Sequence, residues 1–82
     1  MPAQPADAPR STRRITAREL EVLALIADGF STREIAQRLW ITDETVRTHV
    51  RRLLNRLGAR TRAHAVGIAY RDGLWSRNGE AG

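Results

Sequence analysis

Apolar residues recur at helical spacing in four stretches of this chain, and each stretch follows a Ser or Thr of the kind that caps a helix N-terminus. The four predicted caps are Thr16, Ser31, Thr42 and Thr61. The glycines expected to end the first, third and fourth helices are Gly29, Gly58 and Gly73. Because no segment alternates apolar and polar residues as a half-buried strand does, the pattern predicts an all-α, four-helix fold.

The first two helices begin with a capping box, in which the cap and the residue three positions later satisfy each other's backbone N–H groups. Thr16 pairs in this way with Glu19, and Ser31 pairs with Glu34. We interpret Glu19 as a cap residue of this kind. On the first helix, Leu20, Leu23, Ala24 and Ala27 recur at helical spacing, and Val22 and Ile26 widen the stripe. The inward positions expected on the second helix are Ile35, Ala36 and Leu39.

The second and third predicted helices have the proportions of a helix-turn-helix: two turns, a three-residue connection at 40–42, then a longer helix. The apolar residues of the third helix fall within about 60° of one another at 100° per residue. They are Val46, Val50, Leu53 and Leu57. Burying them turns a polar face outward, formed by Glu44, Thr48, Arg51, Arg52 and Asn55, with Arg47 on one flank.

Charge along the chain is concentrated on this segment. The chain carries a net charge of +5, and residues 45–62 hold six arginines and no acidic residue. No i,i+4 ion pair can therefore form within the segment. An unpaired basic face on such a helix favours double-stranded DNA as the partner, since a major groove accepts a helix and arginine binds phosphate and guanine. The alternative is an ordinary solvated face.

Specific roles follow for the polar residues of the motif. We expect Arg47, Arg51 and Arg52 to contact DNA, and Thr48 and Asn55 to be able to read base edges. Thr42 and Thr45, at the start of the third helix, and Thr32, at the start of the second, are candidates for phosphate contacts. The residues expected to raise affinity as flanking charges, without reading sequence, are Arg56, Arg60 and Arg62.

Trp40 occupies an unusual place in the connection between these helices. The residue after a short helix often adopts the left-handed conformation, in which a bulky side chain costs about 1 kcal/mol or more. We therefore expect one of two outcomes: the turn avoids that conformation, or Trp40 recovers the cost by packing. Trp75 is expected to fold back, with Leu74, onto the end of the fourth helix.

The fourth helix is small and apolar on nearly all sides, whereas a peripheral helix should have one polar face. Ala65, Ile68 and Ala69 can face the core. A second stripe then remains, formed by Ala63, Val66, Gly67 and Tyr70. We interpret this stripe as the seam of a two-fold homodimer, with deeper burial inside the monomer as the alternative.

Several segments together resemble the LuxR/GerE-type DNA-binding domain of bacterial transcriptional regulators. They are residues 15–23 (ITARELEVL), 29–39 (GFSTREIAQRL), 45–49 (TVRTH) and 57–58 (LG). The resemblance implies a domain that binds promoter DNA as a dimer, with the third helix in the groove and the fourth in the dimer contact. Arg47, Thr48 and Arg51 match the principal DNA-contacting positions of the family. Relatives often carry Ser or Asn where this chain has Arg51 and Arg52, so its face is more basic.

The domain should span residues 15–75, between a disordered arm at 1–14 and a frayed tail at 76–82. Most family members have a sensing domain upstream, whereas 14 residues precede this one, so the sequence leaves open a stand-alone regulator or the C-terminal part of a longer protein. RNA polymerase or a sensor protein are further partners the resemblance allows. With no signal peptide or apolar span in the sequence, we expect a cytoplasmic, nucleoid-associated protein.

Other functions are disfavoured or kept as alternatives. The chain has no cysteine, no nucleophile–base set and no glycine-rich phosphate loop, so we expect neither an enzyme, nor a metal site, nor a cofactor. One alternative is a promoter-recognition module like region four of a sigma factor. The other is a protein-interaction adaptor that uses the same fold without DNA.

Overall fold

The computed structural model describes residues 15–75, and within them it contains the four predicted helices and no strand. Their bounds are α1 Ala17–Ala27, α2 Thr32–Leu39, α3 Asp43–Leu57 and α4 Arg62–Arg71. Helix α4 ends at Arg71, and Gly73, the glycine expected to end it, has a positive φ two residues later. The predicted arm at 1–14 and tail at 76–82 lie outside the described residues.

Helix starts follow the predicted caps. In α1, the Glu19 N–H donates to Thr16 Oγ1 at 3.0 Å and the Thr16 N–H donates to Glu19 Oε1 at 3.2 Å, which completes the capping box. Ser31 and Glu34 form the same reciprocal pair at α2. Thr42 and Thr61 cap α3 and α4 by accepting from the third N–H of each helix. The first turns therefore have local partners for N–H groups that a helix otherwise leaves unsatisfied.

A single apolar core joins the four helices. Its fully buried members on α3 are the four predicted anchors, while α1 contributes Val22 and Leu23 and α4 contributes Ala65, Ile68 and Ala69. Ile35 and Ala36 of α2 pack into the same cluster. Because Ala36 is small, it leaves room for α2 and α3 to pack against each other here. The core therefore fixes which side of α3 faces outward.

The chain after α4 folds back onto the domain, as predicted from Leu74 and Trp75. The Leu74 N–H donates to the Ala69 carbonyl at 2.9 Å, and both Leu74 and Trp75 pack against the core. The rings of Tyr70 and Trp75 meet edge to face, with centroids 4.9 Å apart. Over residues 15–75, no helix has the length and apolar character needed to cross a membrane.

The prediction for Trp40 is wrong. Its backbone is left-handed, with φ 59° and ψ 43°, and its side chain is 92% exposed. The turn thus adopts the costly conformation, and the indole recovers nothing by packing within the described residues. The hydrogen bond from the Ile41 N–H to the Ala36 carbonyl, at 3.0 Å, explains the geometry, because this closure of a helix end requires a left-handed residue just before it.

Candidate nucleic-acid interface

The helix-turn-helix is built as predicted: α2 ends at Leu39, three residues connect, and α3 begins at Asp43. Ile41 lies in the connection and packs against the core. Thr42 then caps α3, accepting from the Thr45 N–H at 3.0 Å, and the two threonine hydroxyls are 2.9 Å apart. The start of α3 is thus anchored on one side by an apolar contact and on the other by a cap.

The outward face of α3 carries the residues that the sequence placed there. Arg47, Arg51, Arg52 and Asn55 are exposed, as is Glu44, while Thr48 and Thr45 are half-buried. At 100° per residue, the outward set from position 44 to position 55 covers an arc of about 140°. The opposite arc is the buried one formed by the four core anchors. The structure therefore brings six of the eight predicted DNA-binding residues to α3, on one side or at its edge.

The three arginines of this face have no carboxylate partner within the described part of the chain. The ion pairs found over residues 15–75 join Arg18 to Glu21, Arg33 to Asp43, Arg56 to Glu19 and Arg71 to Asp72. None involves Arg47, Arg51 or Arg52. We call these three side chains the arginine ridge. Because their charge is exposed and uncompensated, the ridge can bind a polyanion.

Arg56 does not behave as the flanking charge predicted from the sequence. Its guanidinium Nη1 donates to Glu19 Oε1, and that carboxylate is only 2% exposed. The sequence interpretation missed this pair because 37 residues separate its members. A signal was nevertheless present: Glu19 lies three and four residues before the buried Val22 and Leu23, so helical spacing places it on the inward face of α1.

The predicted phosphate-contact residues fall at two helix starts. Thr42 and Thr45 begin α3. Thr32 is the first residue of α2, and its hydroxyl accepts a hydrogen bond from Arg62 Nη2 at 3.2 Å, so the starts of α2 and α4 are tied together. Arg62 is therefore half-buried and engaged, unlike Arg60, which is exposed.

Helix α4 has the two stripes that its composition predicted. Ala65, Ile68 and Ala69 are buried, whereas Ala63, Gly67 and Tyr70 are exposed and Val66 is half-buried. Tyr70 is 67% exposed although its ring is large and mostly apolar. The second stripe is thus left uncovered by the other helices described here, apart from partial burial at Val66 and the contact of Tyr70 with Trp75.

Comparison with known proteins agrees with this geometry. Residues 13–69 match the family model described as bacterial regulatory proteins, luxR family. The match spans the helix-turn-helix and nearly all of α4. The four helices of the described residues, with no strand among them, are consistent with this family's DNA-binding domain.

The curated relatives are bacterial regulators. The chain is 44% identical over 59 residues to the uncharacterized transcriptional regulatory protein YxjL of Bacillus subtilis, and 43% identical over 60 residues to the transcriptional regulatory protein LiaR of the same species. It is 45% identical over 60 residues to the response regulator protein VraR of Staphylococcus aureus. These matches cover 72–73% of this chain but only 27–29% of each relative.

Proposed function

The chain belongs to the luxR family of bacterial regulatory proteins and forms its helix-turn-helix DNA-binding domain, and on that premise we propose that it binds a two-fold related promoter site as a dimer and regulates transcription. In this proposal α3 lies in the major groove, one copy in each half-site. The protein acts by binding rather than by catalysis.

The observation that carries the proposal is the arginine ridge. Three guanidinium groups lie on the outward side of one helix, and no carboxylate among residues 15–75 compensates them. Binding phosphates would release counterions from DNA, which supplies much of the affinity of any such protein. A guanidinium can also pair with the major-groove edge of guanine, which gives sequence preference.

Roles for the remaining residues follow from their positions. Thr48 and Asn55 share the outward side of α3 with the ridge, so their polar groups can reach base edges. Thr42, Thr45 and Thr32 lie at helix starts, where unpaired N–H groups and the helix dipole favour a phosphate. Glu44 lies on the same side and is exposed; a carboxylate there can accept from cytosine and otherwise opposes DNA binding.

The dimer is proposed from the second stripe of α4. Gly67 and Ala63 permit close approach of a second helix, while Val66 and Tyr70 offer apolar surface. Val66→Arg should shift the protein from dimer to monomer in analytical ultracentrifugation, because the two-fold seam would bring two like charges together. The exposed Gln37→Ala on α2 is the control. An unchanged mass distribution in Val66→Arg would show that this stripe of α4 is not the dimer interface.

Selection of bound fragments from random double-stranded DNA, followed by affinity measurement over a range of salt concentrations, tests the function. We expect enriched sites with two-fold related halves and an affinity that falls steeply with salt. Enrichment of single, unrelated half-sites only in the presence of RNA polymerase would instead indicate the sigma-like module. No enrichment and no salt-dependent binding would indicate an adaptor.

The wider context of the protein is also a proposal. Two of the relatives compared above are named transcriptional regulatory proteins and one is named a response regulator. By analogy we propose that a sensor protein or RNA polymerase communicates with this domain, and that it acts in the cytoplasm on the nucleoid. Their names say nothing about which signal this chain follows.

A further inference from the structure

Four positions that follow helix ends have a positive φ, and one of them differs from the rest. The residues are Gly29 after α1, Trp40 after α2, Gly58 after α3 and Gly73 after α4. Glycine adopts this conformation without steric cost, whereas a residue with a Cβ does not. The chain thus has glycine, the residue with the lowest steric cost in this conformation, at three of the four positions and a tryptophan at the fourth.

Packing does not account for this choice. A tryptophan in a left-handed turn is usually expected to recover the cost by burial, yet Trp40 is 92% exposed, the most exposed of the large apolar side chains in residues 15–75. Backbone strain that the monomer does not offset is typical of sites where a residue acts on something outside it. The partner of the indole must therefore be sought beyond this chain's own core.

The connection holds Trp40 at the start of the recognition helix. The Ile41 N–H that follows it donates to the Ala36 carbonyl, and Thr42, two residues after Trp40, caps α3. Two residues of chain span at most about 7 Å, so the backbone of Trp40 lies close to the N-terminal end of α3. In a helix-turn-helix complex that end of the helix contacts base edges, so a residue just before it is near the DNA.

We propose that Trp40 contacts the sugar–phosphate backbone at the edge of the groove that α3 enters, which rests on the DNA-binding function proposed above. The indole has an apolar face that can cover a deoxyribose and a single N–H that can donate to a phosphate oxygen. Of the acidic residues nearby, Asp43 is within 4.0 Å of Arg33, which lowers its repulsion of a phosphate. The contact positions the helix on DNA and carries no base preference of its own.

Intrinsic fluorescence gives a direct test, because the chain has only two tryptophans. In Trp75→Phe, Trp40 is the single emitter and its spectrum should be that of a water-exposed indole. Titration with a duplex obtained from the selection should shift the emission to shorter wavelength and reduce acrylamide quenching about two-fold or more. Unchanged quenching at saturating duplex would overturn the proposal.

A second pair of measurements does not depend on the Trp75 variant. Trp40→Gly should raise the melting temperature by several degrees, because about 1 kcal/mol of left-handed strain is removed in a small domain. The same variant should weaken DNA binding roughly five-fold, with the site preference unchanged. A purely structural role predicts the reverse, a lower melting temperature. Gln37→Ala, an exposed position on the preceding helix α2, should change neither quantity.

The outcomes separate this inference from the function beneath it. Wild-type binding with an equally tight Trp40→Gly overturns the Trp40 contact and leaves the DNA-binding function intact. Failure of the wild-type protein to bind any duplex in the same assay overturns the function itself. A less stable Trp40→Gly also overturns the inference, because the indole would then be serving the fold.

Discussion

Two stretches of α3 both carry arginine, but the arginines differ in exposure and in whether a carboxylate pairs with them. In the first three turns the arginine ridge is exposed and has no carboxylate partner among residues 15–75. In the last turn Arg56 is two-thirds buried and its guanidinium lies on the buried carboxylate of Glu19. The first set of charges is available to an external anion, while the last is used to attach α3 to α1.

The difference shows that a count of arginines along a sequence overstates the charge presented to a partner. Residues 45–62 contain six arginines, but the charge of Arg56 is compensated by a carboxylate of α1. Arg62 keeps its charge, yet it is half-buried and donates to Thr32. What separates the two stretches is the partner that each meets: Arg56 lies beside the buried arc on the side that faces Glu19 of α1, whereas no carboxylate of residues 15–75 pairs with the ridge.

Removing the carboxylate should have the largest effect. Glu19→Ala takes away the N–H acceptor of the capping box and leaves Arg56 against the core without its anion, which should lower the free energy of unfolding by about 2–3 kcal/mol after allowing for the partial exposure of the arginine. Urea unfolding monitored by circular dichroism measures this change in the free energy of unfolding. Glu21→Ala, two residues away and exposed, should change stability by less than about 0.5 kcal/mol. Equal effects of the two variants would mean that the buried pair has no special role.

Truncating the ridge should leave stability intact and weaken binding. Arg51→Ala should raise the dissociation constant for the selected duplex roughly ten-fold or more, because a groove contact by arginine is worth about 1–3 kcal/mol. Fluorescence anisotropy with a labelled duplex measures it. Arg18→Ala, an exposed arginine on α1 that pairs with Glu21, is the matched control and should bind normally. An Arg51→Ala protein with wild-type affinity would contradict a groove contact at this position.

The smallest of the three expected effects is a change in the salt dependence of DNA binding, which should distinguish the arginine ridge from Arg56. Arg52→Gln should reduce the slope of log affinity against log salt by about 0.9, the value for one lost phosphate contact. The double variant Glu19→Gln with Arg56→Gln replaces the ion pair by a neutral pair that can still hydrogen bond, and its slope should equal that of the wild type. A slope lower by about 0.9 in the double variant would instead show that Arg56 contacts a phosphate. Arg56 would then bind DNA as the arginine ridge does, which would contradict the difference between the two stretches of α3.

Local rules were sufficient for much of this structure. The four caps, the two capping boxes, the helix starts and the four anchors of α3 follow from interactions between residues at most a few positions apart. The outward position of the ridge follows in turn, because burying one side of a helix exposes the other. The two stripes of α4 were predictable for the same reason.

The features that sequence reasoning missed depend on longer-range geometry. The pairing of Glu19 with Arg56 requires the crossing of α1 and α3, which no short-range pattern specifies. The conformation of Trp40 is imposed by the closure of α2 and the seating of Ile41, which together override the preference of a bulky residue. Contact with DNA and the dimer seam remain predictions, since both concern molecules outside this chain.

Glu19 Oε1 receives two donors, the backbone N–H of Thr16 and the guanidinium of Arg56. The point at which the polypeptide joins α1 and the last turn of α3 therefore share one oxygen atom. A pull or rotation that withdraws Thr16 also disturbs the acceptor that holds Arg56. The start of α1 and the C-terminal end of α3 are therefore linked through a single carboxylate.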